Sequence, residues 1–296
     1  MSPSDSADPV ATFEAHRASL LALAYRMLGD MGRAEDIVQE AWLRWQAHAE
    51  AVQVPKAFLV TVVTRLCLNE LDSGRARLEE SRSDRLPEPI DLRQEGLASV
   101  ESIDRISMAF LVVLQKLTPP ERAVLLLREI FEYDYAEIAA LLHKTEAACR
   151  QLMRRARENV TAERRTLASM DDEHRRLLRA FLVAARGGDA EALTKLLADD
   201  AVVIADGGAE GVRFGQVRNL PRPLLGVARI AAFFASVSKR AGPFETRECD
   251  LNGQPAILAV RDGRVVAALL LVIAEGKICQ VFIQADPAHL GRLGAN

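Results

Sequence analysis

The sequence predicts a multi-domain protein in which two all-α domains precede an α+β domain with a curved antiparallel sheet. Amphipathic helical patterns follow one another up to about residue 165, whereas strand-like apolar runs are confined to about the last hundred residues. A polar segment at 81–102, with two prolines that interrupt helix, separates the first helical group from the second. At 296 residues the chain is long enough for two or three domains, each with its own core.

The first helical group consists of three predicted amphipathic helices. Their predicted bounds are Phe13–Leu28, Met31–His48 and Lys56–Leu71. Gly29 breaks the first helix, and Pro55 suits the first turn of the third. On the second helix, Asp36, Gln39 and Glu40 have i, i+3 and i+4 spacing and form an acidic outer patch opposite the apolar stripe. Such a patch is usually a solvated face, so the pattern alone gives it no role.

The second helical group ends in a predicted helix-turn-helix between Tyr135 and Val160. Thr145 is placed to accept a main-chain N–H from the first turn of the second helix as its N-cap. Apolar residues recur at helical spacing on the inner side of that helix, namely Cys149, Met153, Ala156 and Val160. Polar residues are left toward solvent, namely Arg150, Gln151, Arg154, Arg155 and Arg157. Two short helices with a basic outer face are typical of a DNA major-groove reader, although a solvated surface helix has the same periodicity.

The distribution of charge favours DNA binding by this helix. The whole chain has a net charge of −3, so it is not a globally basic nucleic-acid coat. Between His143 and Arg165 there are seven Lys and Arg residues against three Asp and Glu, whereas the residues before His143 carry fifteen against twenty-three. Phosphate contacts with counterion release would use this concentrated positive charge.

The last part of the chain changes to two helices followed by strands. The helices are predicted at Asp172–Arg186 and Ala190–Leu197. Strand-like runs follow at Ala201–Ala205, Val212–Val217, Pro255–Val260, Val265–Ala274 and Lys277–Gln284. Turn signals at Asp262-Gly263 and Glu275-Gly276 predict hairpins between consecutive strands. Helices followed by antiparallel strands indicate an α+β domain.

The sequence also predicts the cellular compartment. The N-terminus has neither a basic start nor an apolar run, and the longest apolar run, Val265–Ala274, is too short to span a bilayer. The four cysteines, Cys67, Cys149, Cys249 and Cys279, lack C-x-x-C spacing. These features predict a cytoplasmic protein with reduced thiols, without a signal peptide, a membrane partner, a disulfide framework or a zinc site.

Three stretches of the helical part resemble the extracytoplasmic-function (ECF) sigma factors of bacterial RNA polymerase. The stretch A-E-D-I-V-Q-E-A-W-L-R-W resembles region 2.2 of that family, and P-K-A-F-L-V-T-V-V-T-R-L-C-L-N-E-L resembles regions 2.3 and 2.4. The stretch from L-T-P-P-E-R through the basic helix resembles region 4.2. The matches have the family's order and separation over residues 10–165. The turn His143-Lys144-Thr145 departs from the family's usual Gly-Ile-Ser, but histidine tolerates positive φ better than most residues.

The resemblance implies a role for each polar surface. In the family the second helix docks on the clamp of the polymerase β′ subunit, which gives that role to Asp36, Gln39 and Glu40. Region 2 holds melted −10 bases, and the residues expected to do so are Arg65, Asn69, Arg75 and Arg77. Region 4 reads the −35 duplex, and the residues expected to do so are Arg150, Gln151, Arg154, Arg155 and Arg157. The expected partners are core polymerase, through its β′ clamp and β subunits, and promoter DNA.

The last part of the chain resembles the SnoaL-like domain, a cone-shaped α+β fold whose combination with an ECF sigma factor defines a known subgroup. That subgroup has a Pro-Glu-Pro motif in the linker, a D-G-G motif in the extra domain and an N-P-D-K-L-like motif near the end. The matching segments here are Leu86-Pro87-Glu88-Pro89, Asp206-Gly207-Gly208 and the partial match Asp286-Pro287-Ala288-His289-Leu290. The resemblance implies a regulatory contact between linker and extra domain through Pro87, Glu88, Pro89, Asp206, Gly207, Gly208, Pro287 and Leu290.

Together these resemblances predict four parts and one function. The parts are sigma region 2 at 10–80, a linker at 81–102, sigma region 4 at 103–168 and a SnoaL-like regulatory domain at 171–296. The function is that of an alternative sigma factor that directs promoter-specific initiation and is regulated in cis by its last domain. A ligand-responsive transcription factor acting without polymerase core and a SnoaL-like enzyme tethered to DNA are the alternatives. Neither a catalytic residue, a cofactor nor a metal site is expected, although the cone has room for a small ligand.

Overall fold

A computed structural model describes residues 8–73, 85–98, 106–161, 171–208, 213–214, 217–218, 220 and 222–294. By their internal contacts the residues form two compact units. The first unit comprises Met1–Ser81, Arg93–Ser102 and Val113–Thr161, and the second comprises Arg82–Leu92, Ile103–Val112 and Ala162–Asn296. The predicted linker and the start of the predicted region 4 therefore contribute residues to the second unit.

The described part of the first unit is helical. Its helices are α1 (Pro9–Leu28), α2 (Met31–His48), α3 (Pro55–Asp72), α4 (Met108–Gln115, which begins in the second unit), α5 (Pro119–Glu129), α6 (Tyr135–Leu142) and α7 (Glu146–Thr161). Gly29, at φ 72°, ends α1, and the Asp30 carboxylate caps α2 by accepting the Arg33 N–H at 2.8 Å. The three predicted front helices are thus confirmed, with α1 and α3 longer than predicted and α2 as predicted. Among the described residues, every helix is too short or too polar to form a membrane span.

A buried arginine joins helices of this unit that are distant in sequence. The Arg122 side chain on α5 is 2% exposed. Its guanidinium donates to the carbonyl of Met27 on α1, to that of Leu114 at 2.8 Å and to that of Leu117 at 3.3 Å. Main-chain carbonyls therefore provide the hydrogen bonds that a buried cation needs.

The helix-turn-helix has the predicted turn chemistry. His143 ends α6 in the left-handed conformation with φ 52°, which replaces the glycine usual at this position. The Thr145 hydroxyl accepts the Ala148 N–H at 3.2 Å and caps α7 as predicted. The inward positions of α7 are all buried, namely Cys149, Met153, Ala156 and Val160. The prediction of a helix-turn-helix in this region is confirmed.

The second unit combines helices with a sheet. Its elements are α8 (Asp171–Gly187), α9 (Ala190–Leu196), β1 (Leu197–Asp206), β2 (Arg213–Phe214), β3 (Val217–Arg218), β4 (Leu224–Leu225), α10 (Val227–Arg240), β5 (Glu245–Leu251), β6 (Gln254–Arg261), β7 (Arg264–Ala274), β8 (Lys277–Gln284) and α11 (Pro287–Leu290). Both predicted hairpins are present, because β6 pairs with β7 and β7 with β8. Their first turn residues, Asp262 at φ 51° and Glu275 at φ 52°, each precede a glycine with positive φ.

The six-stranded sheet differs from the prediction in one pairing. Its strand order is β4-β1-β8-β7-β6-β5. Four neighbouring pairs are antiparallel as predicted, whereas β1 runs parallel to β8 with Val203 opposite Val281. A parallel pair needs a long connection, and here α10 and six strands lie between the two strands in sequence. The sequence also gave no prediction of α10 or β5. The predicted run 212–217 is divided between β2 and β3, and residues 212, 215 and 216 lie outside the described residues.

The sheet has an apolar core on each face. Helices α8 and α10 cover one face, where Phe181 and Phe234 meet edge to face with ring centroids 5.0 Å apart. The other face packs against residues from the predicted linker, from the start of α4 and from the tail, namely Leu86, Met108, Ala109, Val112, Leu290 and Leu293. Burial on both faces explains why the pattern of β6 is almost continuously apolar. The predicted linker up to Leu92 therefore belongs to the second unit, and its Leu86 is part of this core.

Candidate functional site

The acidic patch of α2 lies on the surface of the first unit. Asp36 and Gln39 are exposed, and Glu40 is half-exposed with its carboxylate 3.0 Å from Nε of Arg44. Leu43 follows one turn later and is 54% exposed. Asp36, Gln39, Glu40 and Leu43 together form what we call the α2 patch. Its apolar member was not predicted, because helical periodicity does not distinguish an exposed leucine from a buried one.

The predicted DNA-reading residues of α7 are all exposed. The guanidinium of Arg150 lies 5.2 Å from the centre of the Tyr135 ring and 2.6 Å from the Glu146 carboxylate. Arg154 is only 3.7 Å from Glu158, and both side chains are more than half exposed. Such exposed pairs contribute little stability, so phosphate groups can replace these carboxylates at small cost.

Arg157 has a structural role in the first unit. Its Nη2 lies 2.6 Å from the Glu129 carboxylate of α5, and Nε donates to the same oxygen at 3.2 Å. This hydrogen bond raises the pKa of Arg157. The bond holds α7 against α5, whereas Gln151 and Arg155 lie exposed on the outer face of the helix. Among the five residues predicted to read DNA, Arg157 is therefore the one whose side chain is held by a neighbouring helix.

The residues predicted to hold the −10 strand are not all brought together. Asn69 is exposed on α3, whereas Arg65 is half-buried and donates from Nε to the Leu141 carbonyl at the end of α6, over 3.1 Å. Arg75 and Arg77 lie outside the described residues. The structure therefore gives Arg65 an internal hydrogen bond that helical periodicity could not predict.

The predicted linker contains a mostly buried segment, residues 85–92, which we call the linker segment. The Leu86 N–H donates to Asp206 Oδ2 at 2.9 Å, and the Leu86 carbonyl accepts from Gln284 Nε2 at 3.1 Å. Further along, Ile90 and Asn252 exchange two hydrogen bonds, of 2.8 and 3.2 Å. The backbone of the linker segment is thus paired with side chains of the sheet, as buried main chain must be.

The predicted motif residues mostly meet at this segment. Pro87 and Pro89 are buried within it, and Glu88, 3% exposed, lies 3.4 Å from Nε of Arg292. Gly207 is buried beside Asp206, and Leu290 is buried in the core on the same face of the sheet. Pro287 is exposed at the start of α11.

Gly208 explains why the D-G-G motif needs its second glycine. Its φ is 73°, and a Cβ there would lie 2.6 Å from the carboxyl carbon of Asp286. Both the conformation and the close approach favour glycine. Sequence reasoning missed Asn252, Gln284 and Arg292, which hold the linker segment with equal directness. The signal in the sequence for such a residue is a polar side chain at a position where strand alternation predicts burial, as with Gln284 at the end of β8.

Three groups in this contact have the composition of a metal site. Ligand atoms of Asp206, Asp286 and His289 lie within 4.8 Å of one another. The carboxylates already accept main-chain N–H groups, those of Leu86 and Gly208 at Asp206 and that of Ala288 at Asp286. Hydrogen bonding within the fold therefore accounts for this arrangement without a cation.

Comparison with known proteins covers both units. Family models for sigma-70 region 2 and sigma-70 region 4 match residues 12–77 and 107–160. The chain is 34% identical over 292 residues to the ECF RNA polymerase sigma factor SigJ of Mycobacterium tuberculosis, across 94% of this chain and 92% of SigJ. It is 33% identical over 299 residues to the probable ECF sigma factor SigI of the same organism, across 97% of each chain. The crystal structure of SigJ matches with a TM-score of 0.73 at 30% identity, over 96% of this chain and 98% of that one.

Proposed function

Because this chain belongs to the ECF family of RNA polymerase sigma factors, we propose that its C-terminal SnoaL-like domain regulates initiation in cis by holding the linker segment. As a sigma factor it binds RNA polymerase core and promoter DNA and directs promoter-specific transcription initiation. The observation that carries the regulatory part is the hydrogen bond from Leu86 N–H to Asp206, within a segment whose residues 86–90 are all buried. A linker held in this way would restrict the placement of sigma regions 2 and 4.

Replacing Asp206 with asparagine should release the linker segment. The two Asp206 oxygens accept N–H groups from Leu86 and Gly208, and an amide NH2 would face one of these donors. We expect tryptic cleavage after Arg85 to accelerate about tenfold or more and run-off transcription with purified core enzyme to change. A tenfold increase in the cleavage rate corresponds to the loss of about one buried hydrogen bond.

Asp199→Asn is the matched control for that experiment, because Asp199 is an exposed carboxylate on the same strand, β1. It should leave both the cleavage rate and transcription unchanged. If Asp206→Asn also left both unchanged while the variant stayed folded, the linker contact would have no regulatory role.

Two truncations test whether the C-terminal domain restrains the sigma regions or supports them. Removing the tail from Ala285 deletes Leu290 and Leu293 from the core that covers the linker segment, together with the Arg292 partner of Glu88. We expect this to loosen the restraint and raise transcription. Removing the whole domain from Asp171 should instead lower transcription, because it exposes Leu86 and Met108. Equal transcription from both truncations and the full chain would argue against a regulatory domain.

We propose that −35 recognition by α7 depends on Arg150 and Arg154, which lie one turn apart on the exposed face. Replacing with alanine a residue that makes a bidentate guanine contact should cost about 1–3 kcal/mol of binding free energy and relax one base position. A residue that contacts phosphate should instead weaken binding to all sequences and lower the salt slope by about 1. Titration of promoter DNA at several salt concentrations separates the two, with Arg44→Ala as a control away from this helix. Unchanged binding of both variants would refute the assignment.

We further infer that the α2 patch contacts the β′ clamp of RNA polymerase.

We also infer that the C-terminal domain binds a small molecule without converting it chemically. A cavity in the second unit is lined, among the described residues, without any Asp, Glu, His or Cys. General acid–base catalysis needs such groups within reach of the substrate. Turnover of any small molecule by the purified chain would contradict this inference.

A further inference from the structure

The C-terminal domain contains a cavity of about 340 Å³ between α8, α10 and the sheet. The volume is at the small end of the range for ligand pockets. Its described lining is almost entirely apolar, with aromatic rings of Phe233, Phe234 and Phe244 on one side. The cavity lies on the opposite face of the sheet from the linker segment, among side chains that pack with α8 and α10.

The cavity results from small residues on neighbouring strands. Ala259 on β6 and Ala267 on β7 are directly opposite each other in the ladder, and both line the space. Ala205 on β1 and Ala285 after β8 line it too. Elsewhere on this face the strands carry larger residues such as Leu271 and Val281, which fill the core. Four alanines together remove the side-chain volume that would otherwise close the space.

Arg186 supplies the charge of the lining. It is exposed near the end of α8, and its guanidinium carbon lies 5.3 Å from the centre of the Phe244 ring. Its Nη1 donates to the Thr246 hydroxyl at 3.3 Å, which uses one of the five guanidinium N–H groups. Among the described lining residues there is no carboxylate to neutralise it. A stacked guanidinium beside an apolar cavity matches a ligand with a carboxylate at one end.

We propose that this cavity binds a small apolar monocarboxylate, such as a medium-chain fatty acid, with its chain on the alanine floor and its carboxylate at Arg186. The inference deepens the regulatory role proposed above, since such a ligand would stabilise the domain that holds the linker segment. The ligand's charge pairs with Arg186 at the solvent side, so no buried charge is left unpaired.

The test is calorimetric titration of the full chain with decanoate and, as the matched neutral probe, decanol. Decanoate should bind, and Arg186→Gln should weaken its binding about tenfold while leaving decanol unchanged, as expected for one hydrogen bond to a charged group. Ala267→Leu and Ala185→Leu fill the cavity from the sheet and from α8, respectively, and each should weaken both probes about tenfold or more. Arg179→Gln is the control, because Arg179 lies on the same helix, pairs with Glu248 and does not line the cavity.

Each result decides the proposal. Absent decanoate binding, or binding that neither filling variant weakens, would overturn it. Equal loss of decanoate and decanol in Arg186→Gln would overturn the carboxylate assignment. Circular dichroism identifies a filling variant that fails to fold, and Arg186→Gln, at an exposed position, then decides alone. Because polymerase and DNA are absent from this titration, a negative result leaves the Asp206→Asn experiment free to support or refute regulation by the linker contact.

Discussion

Replacing Arg122 with methionine is expected to lower the free energy of unfolding of the first unit by about 3–5 kcal/mol. Methionine replaces the aliphatic stem of arginine but is shorter and has no donor. The carbonyls of Met27 and Leu117 would then lose the N–H groups that Arg122 donates to them in a site where its side chain is 2% exposed, whereas the Leu114 carbonyl would keep the Leu117 N–H at 3.1 Å. Each buried acceptor left without a donor costs about 1–3 kcal/mol.

Urea denaturation followed by tryptophan fluorescence measures this effect in the right unit, because both tryptophans, Trp42 and Trp45, lie on α2. Arg44→Met is the control, since Arg44 is exposed in a single helical ion pair worth less than about 0.5 kcal/mol. The Arg122→Lys variant should have an intermediate free energy of unfolding, because one ammonium group cannot reach all the carbonyls that the planar guanidinium spans. A urea midpoint for Arg122→Met within error of that of the control would contradict this prediction, because it would show that the carbonyls find other hydrogen-bond donors.

Reversing Asp36 and Glu40 to lysine should weaken binding to core polymerase by about a hundredfold or more. Like charges brought together in an interface cost several kcal/mol, and both residues belong to the α2 patch. The fold should persist, because neither side chain is buried and only the exposed Glu40–Arg44 pair is lost. Leu43→Ser in the same patch should also weaken binding, by removing an exposed apolar contact.

Glu14→Lys with Glu50→Lys gives the matched control for the charge reversal, because both positions are exposed and acidic in the same helical unit but lie off the α2 patch. Native gel or fluorescence titration with purified core enzyme supplies the affinities. Normal affinity of the Asp36→Lys, Glu40→Lys variant would rule the patch out as the core-binding surface.

The first unit could be predicted closely because its signals are local. The bounds of α2 agree with the prediction residue for residue, and Thr145 and His143 have the conformations that capping rules require. Helical period, caps and turns act within a few residues of one another. The hydrogen bonds of Arg122 to Met27 and of Arg65 to Leu141 were not predicted, because these partners lie 95 and 76 residues away in sequence.

The second unit was harder to predict because its decisive contacts are non-local. Prolines and polar residues at 81–102 predict a linker, yet Leu86 packs in a core with strands more than 150 residues later, and Ile90 is hydrogen-bonded to Asn252. Helix α10 was not predicted, although its buried residues Ile230, Ala231 and Phe234 recur at helical spacing. The motif residues at Asp206 and Gly208 could be expected to meet the linker only from the family resemblance. The supporting role of Gln284 depends on the strand register, which the sequence did not fix.

The hydrogen bond between Arg65 and the Leu141 carbonyl has a thermodynamic consequence for promoter recognition. If Arg65 serves the −10 strand through this Nε–H, only molecules in which the bond to Leu141 is broken are competent to bind the strand. The apparent dissociation constant is then the intrinsic one divided by the competent fraction, so a fraction of about one in a hundred weakens binding about a hundredfold. Any partner that separates α3 from α6 beforehand removes this penalty. Core polymerase could therefore raise the affinity for single-stranded promoter DNA without touching a single base, and the DNA would in turn strengthen the hold on polymerase by the same factor.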